Sequence, residues 1–91
     1  MPNNIFMSKS QKPYSIGRIV MYVPKEDDAE SKSNGAEILP AIIVRTWENT
    51  SYENDEVNIK VLTDGPADTW RTSVPHSEGK EPGTWHWPEI K

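Results

Sequence analysis

Hydrophobic and polar positions along the chain alternate in short runs, never at helical spacing. Arg18-Ile-Val-Met-Tyr-Val23 is β-branched and aromatic, and Pro24 stops it. A strand here puts Ile19, Met21 and Val23 on one side and Arg18, Val20 and Tyr22 on the other. Residues Ile38 to Trp47 form the most apolar run, too short and too β-branched for a helix, with Pro40 near its start. This is the expected central strand, with Ala41, Ile43, Arg45 and Trp47 sharing one face and Ile42, Val44 and Thr46 the other. Glu56 to Thr63 alternates with Val57, Ile59 and Val61 inward and Asn58 and Lys60 outward. Thr69 to Val74 reads as a fourth strand, and Gly83 to Trp87 as a fifth, ended by Pro88. Polar turns separate them: residues 48–55, the Asp64-Gly65-Pro66-Ala67-Asp68 turn and the loop 75–82. The spacing predicts an all-β domain, a small five-stranded bent barrel or roll of SH3-like or OB-like size.

The remaining stretches set the boundaries. Residues 1–15 are polar and aperiodic and read as a flexible N-terminal extension. Residues 16–91 are then one small β domain, with a mobile acidic loop at 25–37. Glu26, Asp27 and Asp28 in that loop lack the spaced Asp/Asn and Gly pattern of a calcium site, so a solvated loop is expected. Too few apolar residues are present to cover five strands and their open edges, which points to a homo-oligomer. Ile5, Phe6 and Met7 in the extension are placed to reach a neighbour.

Composition narrows the function. Fourteen acidic and ten basic residues give a net charge of -4, which weighs against binding long DNA or RNA through phosphates. The same charge leaves room for a small anion held by two or three arginines. With no cysteine, disulfides, thiol nucleophiles and cysteine-based zinc sites are excluded. No apolar run is long enough to span a membrane and no signal pattern opens the chain, so the expected compartment is cytosol. Chemistry-bearing residues are few. A Ser-His-Asp set can be assembled from Ser73 or Ser77, His76, and Asp64 or Asp68, but no turn motif supports it and such trios arise by chance. A non-enzyme is therefore expected, with no cofactor and no metal.

Arginine and tryptophan are more informative. All three arginines, Arg18, Arg45 and Arg71, fall in expected strands, and two neighbour Trp47 and Trp70. Arginine suits planar, bidentate contact with phosphate, whereas the plainer alternative is internal pairing with acids such as Asp64 or Glu56. Trp85 and Trp87 are expected to fill the core, although a stacking platform for a base is the functional alternative. The candidate ligand-binding set is Arg18, Arg45, Trp47, Trp70, Arg71 and His86, with Lys60 and Tyr22 as rim donors.

Several segments resemble a family of short proteins encoded by tailed bacteriophages and prophages. They are Ile16 to Val23 (IGRIVMYV), Pro40 to Trp47 (PAIIVRTW), Val61 to Gly65 (VLTDG), Thr72 to Glu78 (TSVPHSE) and Pro82 to Glu89 (PGTWHWPE), the last being the most specific. The resemblance covers Ile16 to Glu89 and departs at Met21, where the family pattern has histidine. It implies a phage origin and a host-cytoplasm setting. Small non-catalytic phage proteins include virion parts and inhibitors of host systems, among them sponges that oligomerise and sequester cyclic nucleotides or ADP-ribose-type signals of bacterial immunity. By analogy of kind, the expectation is an anti-defence sponge for a small nucleotide-type immune signal. The alternative is a virion or adaptor protein, or a protein–protein inhibitor of a host factor.

Overall fold

A computed structural model describes residues 14–47 and 55–89. The chain is all-β: β1 (Ile19–Val23), β2 (Leu39–Thr46), β3 (Val57–Val61), β4 (Thr69–Val74) and β5 (Thr84–His86), with one 3-10 turn at Ser33–Gly35. Strand order in the single sheet is β4-β3-β2-β1-β5, every ladder antiparallel. Consecutive strands therefore form a meander, and the last strand returns beside the first. The segment leaving β4 then runs alongside β5 in parallel. Trp85 N–H donates to the Pro75 carbonyl and Ser77 N–H to the Trp85 carbonyl, both at 2.9 Å. These bonds curl the sheet into a half-barrel.

All five expected strands are present. The inner face of β1 is the one carrying Val20 and Tyr22, which pack with Leu39, Ala41, Ile43, Val57, Ile59, Val61, Val74 and Trp85. Pro40 sits opposite Met21, near the start of β2, and its carbonyl accepts Leu62 N–H. The one ladder bond that proline forfeits falls at the end of the sheet, where Leu62 is exposed.

Two expectations are corrected. The β2–β3 register shifts between Ile43 and Arg45, so alternation breaks there. Ile43 is fully buried while Arg45 is exposed, and the two do not share the inner face. The folded unit also begins earlier than residue 16. Tyr14 is buried, its ring edge-on to Trp85 at 5.5 Å and its hydroxyl bonded to Asp55 Oδ1 at 3.1 Å. Ile5, Phe6 and Met7 lie outside the described residues.

The acidic loop is only partly the solvated segment expected. Glu26, Asp27 and Glu30 are exposed, but Ser31 is fully buried and its hydroxyl shares a 2.8 Å hydrogen bond with Thr69 of β4. The loop is thereby tied to the sheet at its middle.

Candidate functional site

The gap left by the half-barrel lies between β4 and the β1–β5 side. It is an open cleft of about 520 Å³. Arg71 and Ser73 line it from β4, Tyr22 from β1, Lys25 and Asp28 from the following loop, and Gly83 and Thr84 from the entry to β5.

Arg71 is the organising group. Its Nε donates to Asp28 Oδ2 at 3.0 Å and its Nη2 to Asp28 Oδ1 at 2.6 Å, a bidentate fork. Nη2 also reaches Glu30 Oε1 at 3.2 Å, and Nη1 donates to the Trp70 carbonyl at 2.7 Å. Asp28 is further held by Ser31 N–H at 3.2 Å. The Arg71 hydrogen bonds, aided by Ser31, pull the Asp28 carboxyl down to about 2 against the opposing effect of burial. Asp28 in turn raises the Arg71 pKa. Burial, then the Asp28 charge, pushes the Tyr22 phenol up, so it is a neutral donor facing Asp28 Oδ2 at 3.5 Å.

Lys25 completes the cleft. Its stem crosses Gly83, where an added Cβ would come within 3.0 Å of Lys25 Cε. Gly83 has φ +83 and donates its N–H to the Val23 carbonyl, so both its backbone and its missing side chain are needed there. Among the described residues, no carboxylate lies within ion-pair distance of Lys25.

The six residues singled out from the sequence do not converge. Arg71 lines the cleft, but its partners are Asp28 and Glu30 rather than Asp64 or Glu56. Trp70, the preceding residue, points to the opposite face of the sheet and is 50% exposed. Arg18 lies over the Trp87 ring at 4.8 Å and Arg45 over the Trp47 ring at 4.4 Å, and neither arginine lines the cleft. His86 is buried on the outer side of β5, beside Met21, and its Nδ1 has no hydrogen-bond partner among the described residues. Burial, then the nearby Lys80 charge, lowers its pKa, so the ring is neutral near pH 7. Trp85 is a core residue, and Trp87 packs against the core at its margin. Lys60 is exposed and 3.8 Å from Asp68.

The Ser-His-Asp set does not assemble. His76 Nε2 bonds Glu78 Oε2 at 2.8 Å, and Ser77 Oγ donates to Glu81. Glu78 also accepts Trp87 N–H at 3.0 Å, which is the larger cause of its lowered pKa. Among the described residues, no group of three His, Asp or Glu side chains is gathered as a metal site. No helix among them is long and apolar enough to cross a membrane.

Sequence reasoning missed Lys25 and Asp28 as cleft residues. Asp28-Ala-Glu-Ser31 does carry a local signal, an Asp accepting the N–H three residues on. In comparisons with known proteins, no family model, no curated protein and no solved structure matches the chain.

Proposed function

We propose that the protein is a non-catalytic binding protein that captures a small nucleotide-type ligand in the cleft between β4 and β1. The observation that carries this reading is that Arg71 and Lys25 line one cleft of about 520 Å³, whose wall also holds Tyr22, Asp27 and Asp28. That volume is in the range of small-molecule sites. A phosphate oxygen would replace Glu30, whose side chain is 78% exposed, on Arg71 Nη2 while the buried Asp28 fork stays in place. Lys25 supplies the second cation. Charge-assisted contacts are worth roughly 1.5 to 3 kcal/mol each, so two gross about 3 to 6 kcal/mol before the entropy of association is subtracted. Tight capture therefore also uses the apolar wall of Val74, Pro75 and Pro82 for the base or ribose.

The phage setting rests on the sequence resemblance. Taken with it, capture without conversion makes the protein an anti-defence sponge in the host cytoplasm, holding a cyclic oligonucleotide or an ADP-ribose derivative. Calorimetry against a panel of cyclic di- and trinucleotides and ADP-ribose derivatives tests this. Ligand released by heat should return intact by mass spectrometry, whereas a cleaved product would mean catalysis. If no member of the panel binds the folded protein, the sponge reading is abandoned. The virion, adaptor or inhibitor reading then takes over, favoured by the exposed apolar residues Ile19, Ile38, Leu62 and Trp70.

A further inference from the structure

The chain holds one Asn-Gly pair, Asn34-Gly35, and one Asp-Gly pair, Asp64-Gly65. In such pairs the side-chain carbonyl carbon is most open to the following backbone nitrogen, because glycine carries no side chain to obstruct the approach. The fold sets the two pairs against each other. Asn34 Nδ2 donates to Asp64 Oδ2 at 2.9 Å. A Cβ built on Gly65 would stand 3.5 Å from both Ser33 Cβ and Ser33 Oγ. The contact clasps the acidic loop after β1 to the turn between β3 and β4, across 30 positions of sequence.

The chemistry open to Asn34 is cyclisation. The Gly35 nitrogen, giving up its proton to water, attacks Asn34 Cγ. A C–N bond forms, and ammonia leaves with a proton from solvent. Water then opens the resulting cyclic imide at either carbonyl, leaving aspartate or isoaspartate, and nothing is oxidised or reduced. Both residues are exposed, so water has access. The folded backbone nevertheless holds the reacting groups apart. Asn34 has φ 61 and ψ 25, a left-handed conformation that asparagine tolerates better than most residues. For an L residue that ψ turns the next nitrogen nearly opposite Cβ, whereas the five-membered ring closes only with the two on the same side. Gly35 N–H is itself engaged, donating to the Lys32 carbonyl at 2.9 Å. The Asn34 amide is held by Asp64.

We propose that Asn34 is a site of spontaneous deamidation, held unreacted by its clasp on Asp64, whose conversion irreversibly frees this end of the acidic loop from the β3–β4 turn. An aspartate at position 34 offers only acceptors where the amide donated, so two carboxylates would face each other. An isoaspartate adds a methylene to the backbone of the 3-10 turn as well. The Asp28–Arg71 and Ser31–Thr69 contacts lie nearer the sheet and stay in place. None of the clasp residues lines the cleft, so the proposal is independent of the ligand reading.

Peptide mapping by mass spectrometry on the full chain, incubated in mildly alkaline buffer, follows the exchange of the Asn34 amide for a carboxyl. Conversion should be at least about tenfold faster in guanidinium chloride than in the folded chain. Asp64→Ala should speed it about two- to tenfold without denaturant, which is what one exposed hydrogen bond adds to a local opening equilibrium. The far-UV circular dichroism of that variant should match wild type. Asn34→Asp, which mimics one product, should lower the thermal midpoint by a few degrees. Adding Asp64→Asn to it reverses donor and acceptor and should restore the midpoint. Equal rates in folded and unfolded chains overturn the proposal, as does an Asp64→Ala rate equal to wild type. An Asn34→Asp midpoint that is unchanged, or not restored by Asp64→Asn, overturns the release of the loop.

Discussion

At the scale of single residues, the Asp28–Arg71 fork decides most. The Asp28 side chain is only 9% exposed and Arg71's 27%, so this pair is neither a screened surface contact nor a fully buried one. Lowering a carboxyl from 3.8 to about 2 corresponds to roughly 2.5 kcal/mol of preference for the charged form. Arg71→Met leaves Asp28 without its main donor and should cost about 2 to 3 kcal/mol in urea unfolding. The sign of the pH dependence follows from the lowered value. The stabilisation is full above the ordinary carboxyl pKa near 3.8 and is lost as pH falls through about 2. Asp28→Asn should flatten the urea midpoint between pH 4 and pH 2 relative to wild type. His86 acts in a different window. Its folded pKa is lowered, so the unfolded chain binds the proton first and stability declines as pH drops below about 6.5. His86→Leu should remove that slope and, by deleting a buried nitrogen with no hydrogen-bond partner among the described residues, cost little or nothing at pH 7. The need of Arg71 for a planar partner was legible from its place in a strand. The identity of that partner was not, because Asp28 lies 43 positions away among several equivalent acids and only the fold of the loop selects it.

At the scale of elements, strand positions were legible because β-branched runs end at Pro24, at the Asp64-Gly65-Pro66 turn and at Pro88. What alternation does not encode is a register shift. Two occur, one in β2 opposite β3 and one in β4 opposite β3. The first turned Arg45 out of the face that strict alternation shares with Ile43. At the second, Ser73 adopts φ 54 and its N–H turns to Asn58 Oδ1 at 2.8 Å, which Thr72 Oγ1 also approaches at 2.9 Å. A non-glycine residue in that region is strained by about 1 to 2 kcal/mol. Ser73→Gly should recover part of this and stabilise the fold by about 0.5 to 1 kcal/mol, after glycine's extra entropy in the unfolded chain is allowed for. Gly17 supplies the opposite case. It has φ +97 with open space where a Cβ would sit, and its N–H is fixed to the Ile43 carbonyl at 2.7 Å. Gly17→Ala should therefore cost about 1 to 2 kcal/mol from backbone strain alone. Thermal unfolding of the two variants should shift in opposite directions, and equal shifts would mean that positive φ is not what governs either site.

At the scale of the whole molecule, β4 is shared between two surfaces, because successive residues of a strand face opposite ways. Arg71 turns inward to the cleft and Trp70 outward to the opposite face. The sequence placed both in one candidate site because they are adjacent, and adjacency in a strand is the spacing that separates side chains most effectively. Ligand capture in the cleft should accordingly be insensitive to changes on the outer face of β4. Lys25→Met removes a cation with no ion pair among the described residues, so it should weaken calorimetric binding of a nucleotide ligand about tenfold while leaving the thermal midpoint within a degree or two. Affinity should also fall as salt is raised from about 50 to 500 mM, since the contacts lie in an open cleft. Trp70→Ala provides the contrast. If the indole were a stacking platform for the base, its loss would cost about 1 to 3 kcal/mol, roughly five- to 150-fold in affinity. Its position on the far side of β4 predicts instead one ligand per chain with affinity within about threefold of wild type. A tenfold or greater loss there, with Lys25→Met unchanged, would move the ligand from the cleft to the outer face.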